Sequence, residues 1–180
     1  MLFYTILILV IVQRLAEVLI AKRHEKWMLA KGAYEVGASH YSYMVAMHVS
    51  FFLFLIVEVV SNKSGPSSLF PLFFILFLIV QALRIWCIRS LGPFWNTKIL
   101  ILPGAQVVRK GPYTFMRHPN YAVVSLEILL LPIMFQAYFT AFCFTLLNIT
   151  MLSVRIPIEE KALRDATNYN HVFKKDLPQK

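Results

Sequence analysis

Residues 111–127, GPYTFMRHPNYAVVSLE, place Arg117, His118, two prolines and two tyrosines at the mouth of an apolar run, with Glu127 inside it. Pro119 suits the first turn of a helix, where its missing N–H costs little. Such a helix begins in a polar layer and proceeds into oil. The rest of the chain supports that reading: 58% of its 180 residues are hydrophobic and 14% aromatic, with a mean hydropathy of +0.63, above the apolar content usual for soluble domains.

A helix needs about 20 mostly apolar residues to cross a bilayer core. Runs of that size fall at 2–21, 43–60, 69–88, 119–136 and 138–156. The last two are joined so tightly around Gln136 and Tyr138 that they predict a helical hairpin. The expected fold is therefore all-α and polytopic, with about five transmembrane helices in one domain over 1–180. Its parts are three spans in 1–88, a connection at 89–118, and the hairpin with its tail at 119–180. The apolar N-terminus lacks a basic region before it and reads as a retained anchor.

Lys22, Arg23, Lys26 and Lys31 follow the first span, and Arg89, Lys98, Arg109, Lys110 and Arg117 follow the third. Lys161, Arg164, Lys174, Lys175 and Lys180 follow the fifth, whereas the second connection holds only Lys63 and the fourth none. The positive-inside rule then puts the N-terminus outside and the C-terminus and polar connections in the cytoplasm of a bacterial cell membrane. The formal charge of +9 points to anionic lipid head groups rather than nucleic acid, because the basic residues lie between apolar runs. Within 89–118, two β-prone stretches around Pro103-Gly104 predict a small interfacial hairpin.

Ionisable residues inside spans are candidates for sites. Arg14 and Glu17, three apart on one helical face, can form a packing pair or line a polar pocket; Arg84 sits where it can snorkel to head groups, and Glu58 reads as a boundary residue. Glu127, too deep to snorkel, needs a partner or neutralisation. His24, His40, His48 and His171 show no metal-ligand spacing, and Cys87 and Cys143 read as buried thiols. No metal is expected.

The hairpin brings RHPNY, at 117–121, beside RIPIEEKAL, at 155–163. Free amides at the helix start can hold a carboxylate, Glu159 and Glu160 an ammonium, Tyr113 and Tyr121 a flat ring or cation, and Arg155 a further anionic oxygen. S-adenosylmethionine has all of these groups. The plain alternative is a basic snorkelling belt beside a solvated acidic helix end.

GPYTFMRHPNY followed by RIPIEEKAL resembles the isoprenylcysteine carboxyl methyltransferase family of integral-membrane enzymes. The N-terminal part looks like its small bacterial members, some of which O-methylate alkylpyrones in polyketide pathways. The resemblance implies that His118, Pro119 and Tyr121 help form the S-adenosyl-L-methionine pocket with Arg117 at its rim, that Glu160 holds the ammonium, and that the catalytic pair Arg155 and Glu159 shapes the junction between cofactor and acceptor. Beside these, the chemistry of the residues adds Tyr113 to the expected cofactor pocket and places Glu127 with Arg155 on the acceptor side. The implied partners are a lipophilic small-molecule acceptor and membrane lipids, and the short chain leaves little room for a prenylated protein. Methylation of a prenylcysteine carboxylate or phospholipid amine is the competing enzymatic reading. A membrane adaptor or transporter using Arg14, Glu17, Arg84 and Glu127 as a polar path is the non-enzymatic one.

Overall fold

The computed structural model describes residues 1–173; Lys174, Lys175 and Lys180, counted in the charge pattern, lie outside the described residues. The chain runs α1 (Leu2–Ala30), β1 (Tyr34–Val36), α2 (Ala38–Ser61), α3 (Phe70–Leu91), β2 (Ile99–Ile101), α4 (Pro119–Met134), α5 (Tyr138–Ala166) and α6 (Tyr169–Val172), with 3₁₀ turns at Gly92–Phe94 and Gly111–Thr114. α1, α2, α3 and α5 are long and apolar enough to cross a membrane, and α4 is a shorter apolar helix. The protein is an all-α polytopic membrane protein.

α4, at 16 residues, is about 24 Å long. It nevertheless runs the height of the bundle: its last carbonyl, on Met134, accepts from Ser67 N–H in the α2–α3 connection at 2.9 Å. The α4–α5 turn is as tight as the sequence predicts, with Gln136 at φ +57° and its side-chain amide on Gly65 and Pro66 carbonyls. Lipid-facing side chains such as Leu9, Leu15, Leu53 and Phe142 are exposed, whereas Leu55, Leu131, Met134 and Phe135 are enclosed between helices. That inversion suits a bilayer, whose hydrocarbon solvates apolar side chains as well as a protein interior does.

Two helices outlast their expected apolar runs. α1 continues through its basic tail to Ala30 because nothing breaks it before Lys31-Gly32. α5 continues through Pro157 to Ala166, so Glu159, Glu160 and Arg164 ride on a helix that projects beyond the apolar layer.

Three local expectations change. The hairpin around Pro103-Gly104 does not form; β2 pairs with β1 instead, antiparallel, with Tyr34 opposite Ile101 and Val36 opposite Ile99. Burial of Ile99 and Ile101 and a Lys98 ammonium shared between Glu25 at 2.8 Å and Glu35 at 3.0 Å fix that pairing. The stretch after Gly104 is drawn to the C-terminal helices through Gly104 N–H to Ala166 O at 2.9 Å and Val107 N–H to Asn168 Oδ1 at 2.8 Å. Arg84 does not snorkel: it is only 6% exposed, and it binds Glu17 and Glu127.

Glu58 is more than a boundary residue. Its carboxylate accepts the first free amides of α5, Phe139 N–H at 3.0 Å and Thr140 N–H at 2.7 Å, together with the Thr140 hydroxyl. It caps a helix that otherwise lacks a side-chain cap and complements the positive end of the helix dipole. Glu58→Ala is expected to lower stability by about 1 to 2 kcal/mol, read as an earlier thermal midpoint in detergent, with Glu58→Gln recovering part of the loss.

Candidate active site

The polar end of the bundle is built from the α4 start, the α5 end, α6 and the segment 95–108. A cavity of about 150 Å³, roughly tenfold what one water requires, lies among them. Tyr113, Arg117, His118, Tyr121, Arg155 and Glu159 all line it. Gly111 makes this possible. At φ +57° a side chain there would strike Ser90 Oγ and Trp86 Nε1, so only glycine lets the loop close on α3 and start the turn that buries Tyr113.

Across the hairpin, His118 Nε2 lies 3.2 Å from Glu160 Oε1, and Arg117 Nη1 lies 3.4 Å from the same oxygen. Glu160 Oε2 is taken by Arg164 at 2.5 Å. One carboxylate oxygen is thus firmly held and the other weakly. Tyr121 stacks on His118, with ring centroids 5.3 Å apart and planes 17° apart, and its hydroxyl donates to Glu159. The same hydroxyl accepts from Arg155 Nε at 2.7 Å. Arg155 is completed by Thr97 O at 2.7 Å and Met44 Sδ at 3.5 Å. It is 4% exposed, and all three of its partners are neutral.

Pro119 opens α4 without lining the cavity, and Glu160 stands behind His118 rather than in the lining. Glu127 stands apart from it. Its two oxygens are bound by Arg14 at 2.7 Å, Arg84 at 2.8 Å and Gln81 at 2.9 Å. Glu17 is bound by the same two arginines, and Gln13 bridges Glu17 to Gln81. The expected Arg14–Glu17 pair is therefore half of a four-charge, electroneutral cluster joining α1, α3 and α4, which the acceptor role assigned to Glu127 did not anticipate.

Several lining residues carried no sequence signal. Trp95 Nε1–H, the Tyr113 hydroxyl and Asn120 Oδ1 are buried without a hydrogen-bond partner among the described residues, and all three residues line the cavity. Buried polar atoms are rarely left unpaired unless a ligand or water completes them. Asn120 lies inside RHPNY and could have been singled out; Trp95 and Tyr169 reach the cavity only through tertiary folding. Burial first, then the nearby Cys87 and Glu159, pushes the Tyr113 phenol well above its ordinary range. Burial and the neighbouring Glu160 do the same for Tyr169. Both hydroxyls remain protonated donors at neutral pH. Among the described residues no group of three His, Cys, Asp or Glu side chains could hold a metal ion.

The described residues thus form a helical membrane bundle with a cavity at its polar end, walled by the two motifs of a helical hairpin. Residues 73–165 match the model of the isoprenylcysteine carboxyl methyltransferase (ICMT) family, and the chain belongs to that family. It is accordingly a membrane methyltransferase. It is 48% identical over 163 residues to the uncharacterized protein YpbQ of Bacillus subtilis (strain 168), covering 91% of this chain and 97% of the relative. It is also 31% identical over 157 residues to an uncharacterized protein of Haemophilus influenzae (strain ATCC 51907 / DSM 11121 / KW20 / Rd), covering 87% and 88%.

Proposed function

We propose that this protein transfers a methyl group from S-adenosyl-L-methionine to an ionised oxygen on a lipophilic small molecule of the alkylpyrone type. The observation that carries the proposal is the contact between His118 and Glu160 at 3.2 Å beside a cavity whose buried Trp95, Tyr113 and Asn120 atoms lack partners. Two donors and an acceptor of this kind fit the heterocycle and hydroxyls of a nucleoside. The weakly held Glu160 Oε1 fits an ammonium, and Arg117 fits a carboxylate. When bound, the donor supplies an electrophilic methyl on a sulfonium.

The chain's residues then have to orient the acceptor, since in-line displacement needs the oxygen at about 3 to 3.5 Å from the methyl carbon. Arg155 is suited to this. Tyr121 and Thr97 hold its guanidinium in one orientation, while the thioether of Met44 is a weak partner that an acceptor oxygen can replace. Glu159 acts through Tyr121, fixing the hydroxyl that fixes Arg155. An already ionised carboxylate or enol needs no strong general base. An amine acceptor fits less well, because it would approach a buried cation with no carboxylate within ion-pair distance among the described residues. The transporter reading is disfavoured too, because Arg14, Glu17, Arg84 and Glu127 saturate one another.

S-adenosylhomocysteine at a hundred times its dissociation constant should stabilise the detergent-solubilised protein by about 2.7 kcal/mol; no shift in melting temperature at millimolar ligand would reject the assignment. Arg155→Lys should keep that shift while cutting transfer of labelled methyl into a lipid extract by about a hundredfold, because the ammonium cannot reproduce the planar fork. Loss of the thermal shift in this variant would instead assign Arg155 to the cofactor.

A further inference from the structure

A second cavity lies on the membrane-facing side, between α2 and α5. It measures about 530 Å³ and is lined by a stripe of α2, including Ala46, Met47, Ser50 and Phe54, facing a stripe of α5 that includes Phe144 and Met151. The α2 positions recur at helical spacing and so form one wall. Phe54 and Phe144 meet across the groove, with ring centroids 5.6 Å apart. From Phe139 to Met151 the lined part of α5 is about 18 Å long, enough for an extended fatty-acyl-sized chain.

The other end of the groove adjoins the reaction site. Met151 is one helical turn from Arg155, and Met47 is three residues from Met44, whose sulfur touches Arg155 Nη1 at 3.5 Å. Met47 and Met151 of the apolar groove and the adjoining Met44 thus stand near a buried guanidinium that has no direct ion pair among the described residues, Glu159 being held behind the Tyr121 hydroxyl. Methionine side chains are unbranched and repack readily, and a buried cation with only neutral direct partners has room for an anionic guest.

We propose, resting on the methyltransferase reading, that this groove holds the acceptor's single unbranched alkyl chain, that Met44, Met47 and Met151 form the gate through which its anionic head reaches Arg155, and that Ser50 and Phe54, farther along α2 from that gate, set the longest chain accepted. A chain entering from the bilayer leaves one apolar medium for another and gains little hydrophobic transfer energy. Selection therefore rests on groove shape and on the charge at its inner end. A phospholipid, with two chains and a bulky zwitterionic head, matches neither.

The test uses palmitic acid carrying a diazirine at its methyl end, photolysed with the full-length protein in nanodiscs, and peptide mapping by mass spectrometry. Labelling should concentrate on residues 46–54 of α2 and 139–147 of α5. Ser50→Phe, about 9 Å along α2 from Met44, should reduce it about tenfold for the palmitoyl probe while sparing a hexanoyl one. Palmityl alcohol with the same diazirine should label several-fold less, and Arg155→Gln should erase the difference between acid and alcohol. Labelling spread over all helices, indifference to Ser50→Phe, or equal labelling by a diazirine phosphatidylcholine would overturn the proposal. The cofactor thermal shift is unaffected by any of these outcomes, so failure of the groove and failure of the methyltransferase assignment are separable.

Discussion

Replacing Glu127 with alanine is expected to remove about 3 to 5 kcal/mol of stability, a large share of the roughly 5 to 15 kcal/mol of a folded domain. The loss arises from what remains rather than from the contact deleted. Arg14 and Arg84 would keep only Glu17 between them, leaving one positive charge uncompensated among α1, α3 and α4. Arg84→Met should be as severe, for the opposite reason: Glu17 and Glu127 would then share Arg14 alone. The double variant Glu17→Gln with Arg84→Met restores neutrality by leaving the Arg14–Glu127 pair, and it should recover at least half of the loss. Chemical denaturation in mixed micelles measures all three. If the double variant is no more stable than Arg84→Met alone, the cluster is not a charge-balanced unit.

The second large effect concerns binding. Glu160→Gln should weaken S-adenosylhomocysteine binding by about two orders of magnitude, and His118→Ala by roughly tenfold, as measured by calorimetry. The glutamate contributes a charge-assisted hydrogen bond worth about 1.5 to 3 kcal/mol, whereas His118 contributes the stacking surface for Tyr121 and a second contact to Glu160. Neither variant should unfold the protein, since Glu160 stands at the polar end of α5 among Arg117 and Arg164 rather than in the apolar core. Unchanged affinity in both would remove His118 and Glu160 from the cofactor pocket. A fall in stability with Glu160→Gln comparable to that of Glu127→Ala would mark Glu160 as a structural counter-ion instead.

Much of the site was legible because its residues lie in two short motifs. RHPNY and RIPIEEKAL are separated by a run that a tight turn must fold back, so their meeting follows from hairpin geometry alone. Trp95 and Tyr169 were not legible in this way, since one reaches the cavity from the α3–β2 connection and the other from α6. β2 also escaped prediction: Ile99 and Ile101 read as β-prone, but their partner strand is Tyr34–Val36, far earlier in the chain. Local propensity names a strand without naming its partner.

The sequence by itself determined that the chain lives in a membrane, where its helices lie, and which polar residues gather at one end, because hydrocarbon admits only long apolar helices and penalises every exception. The tertiary structure alone decided what became of those exceptions. Arg84 had open routes to head groups or to a carboxylate, and the convergence of α1, α3 and α4 brought Glu17 and Glu127 within 2.8 Å of it. Coulomb attraction in a medium of low dielectric then outweighs hydration at the membrane surface. Arg155, equally buried, met only neutral direct partners, and that difference separates the arginine that ties helices together from the one that lines the cavity.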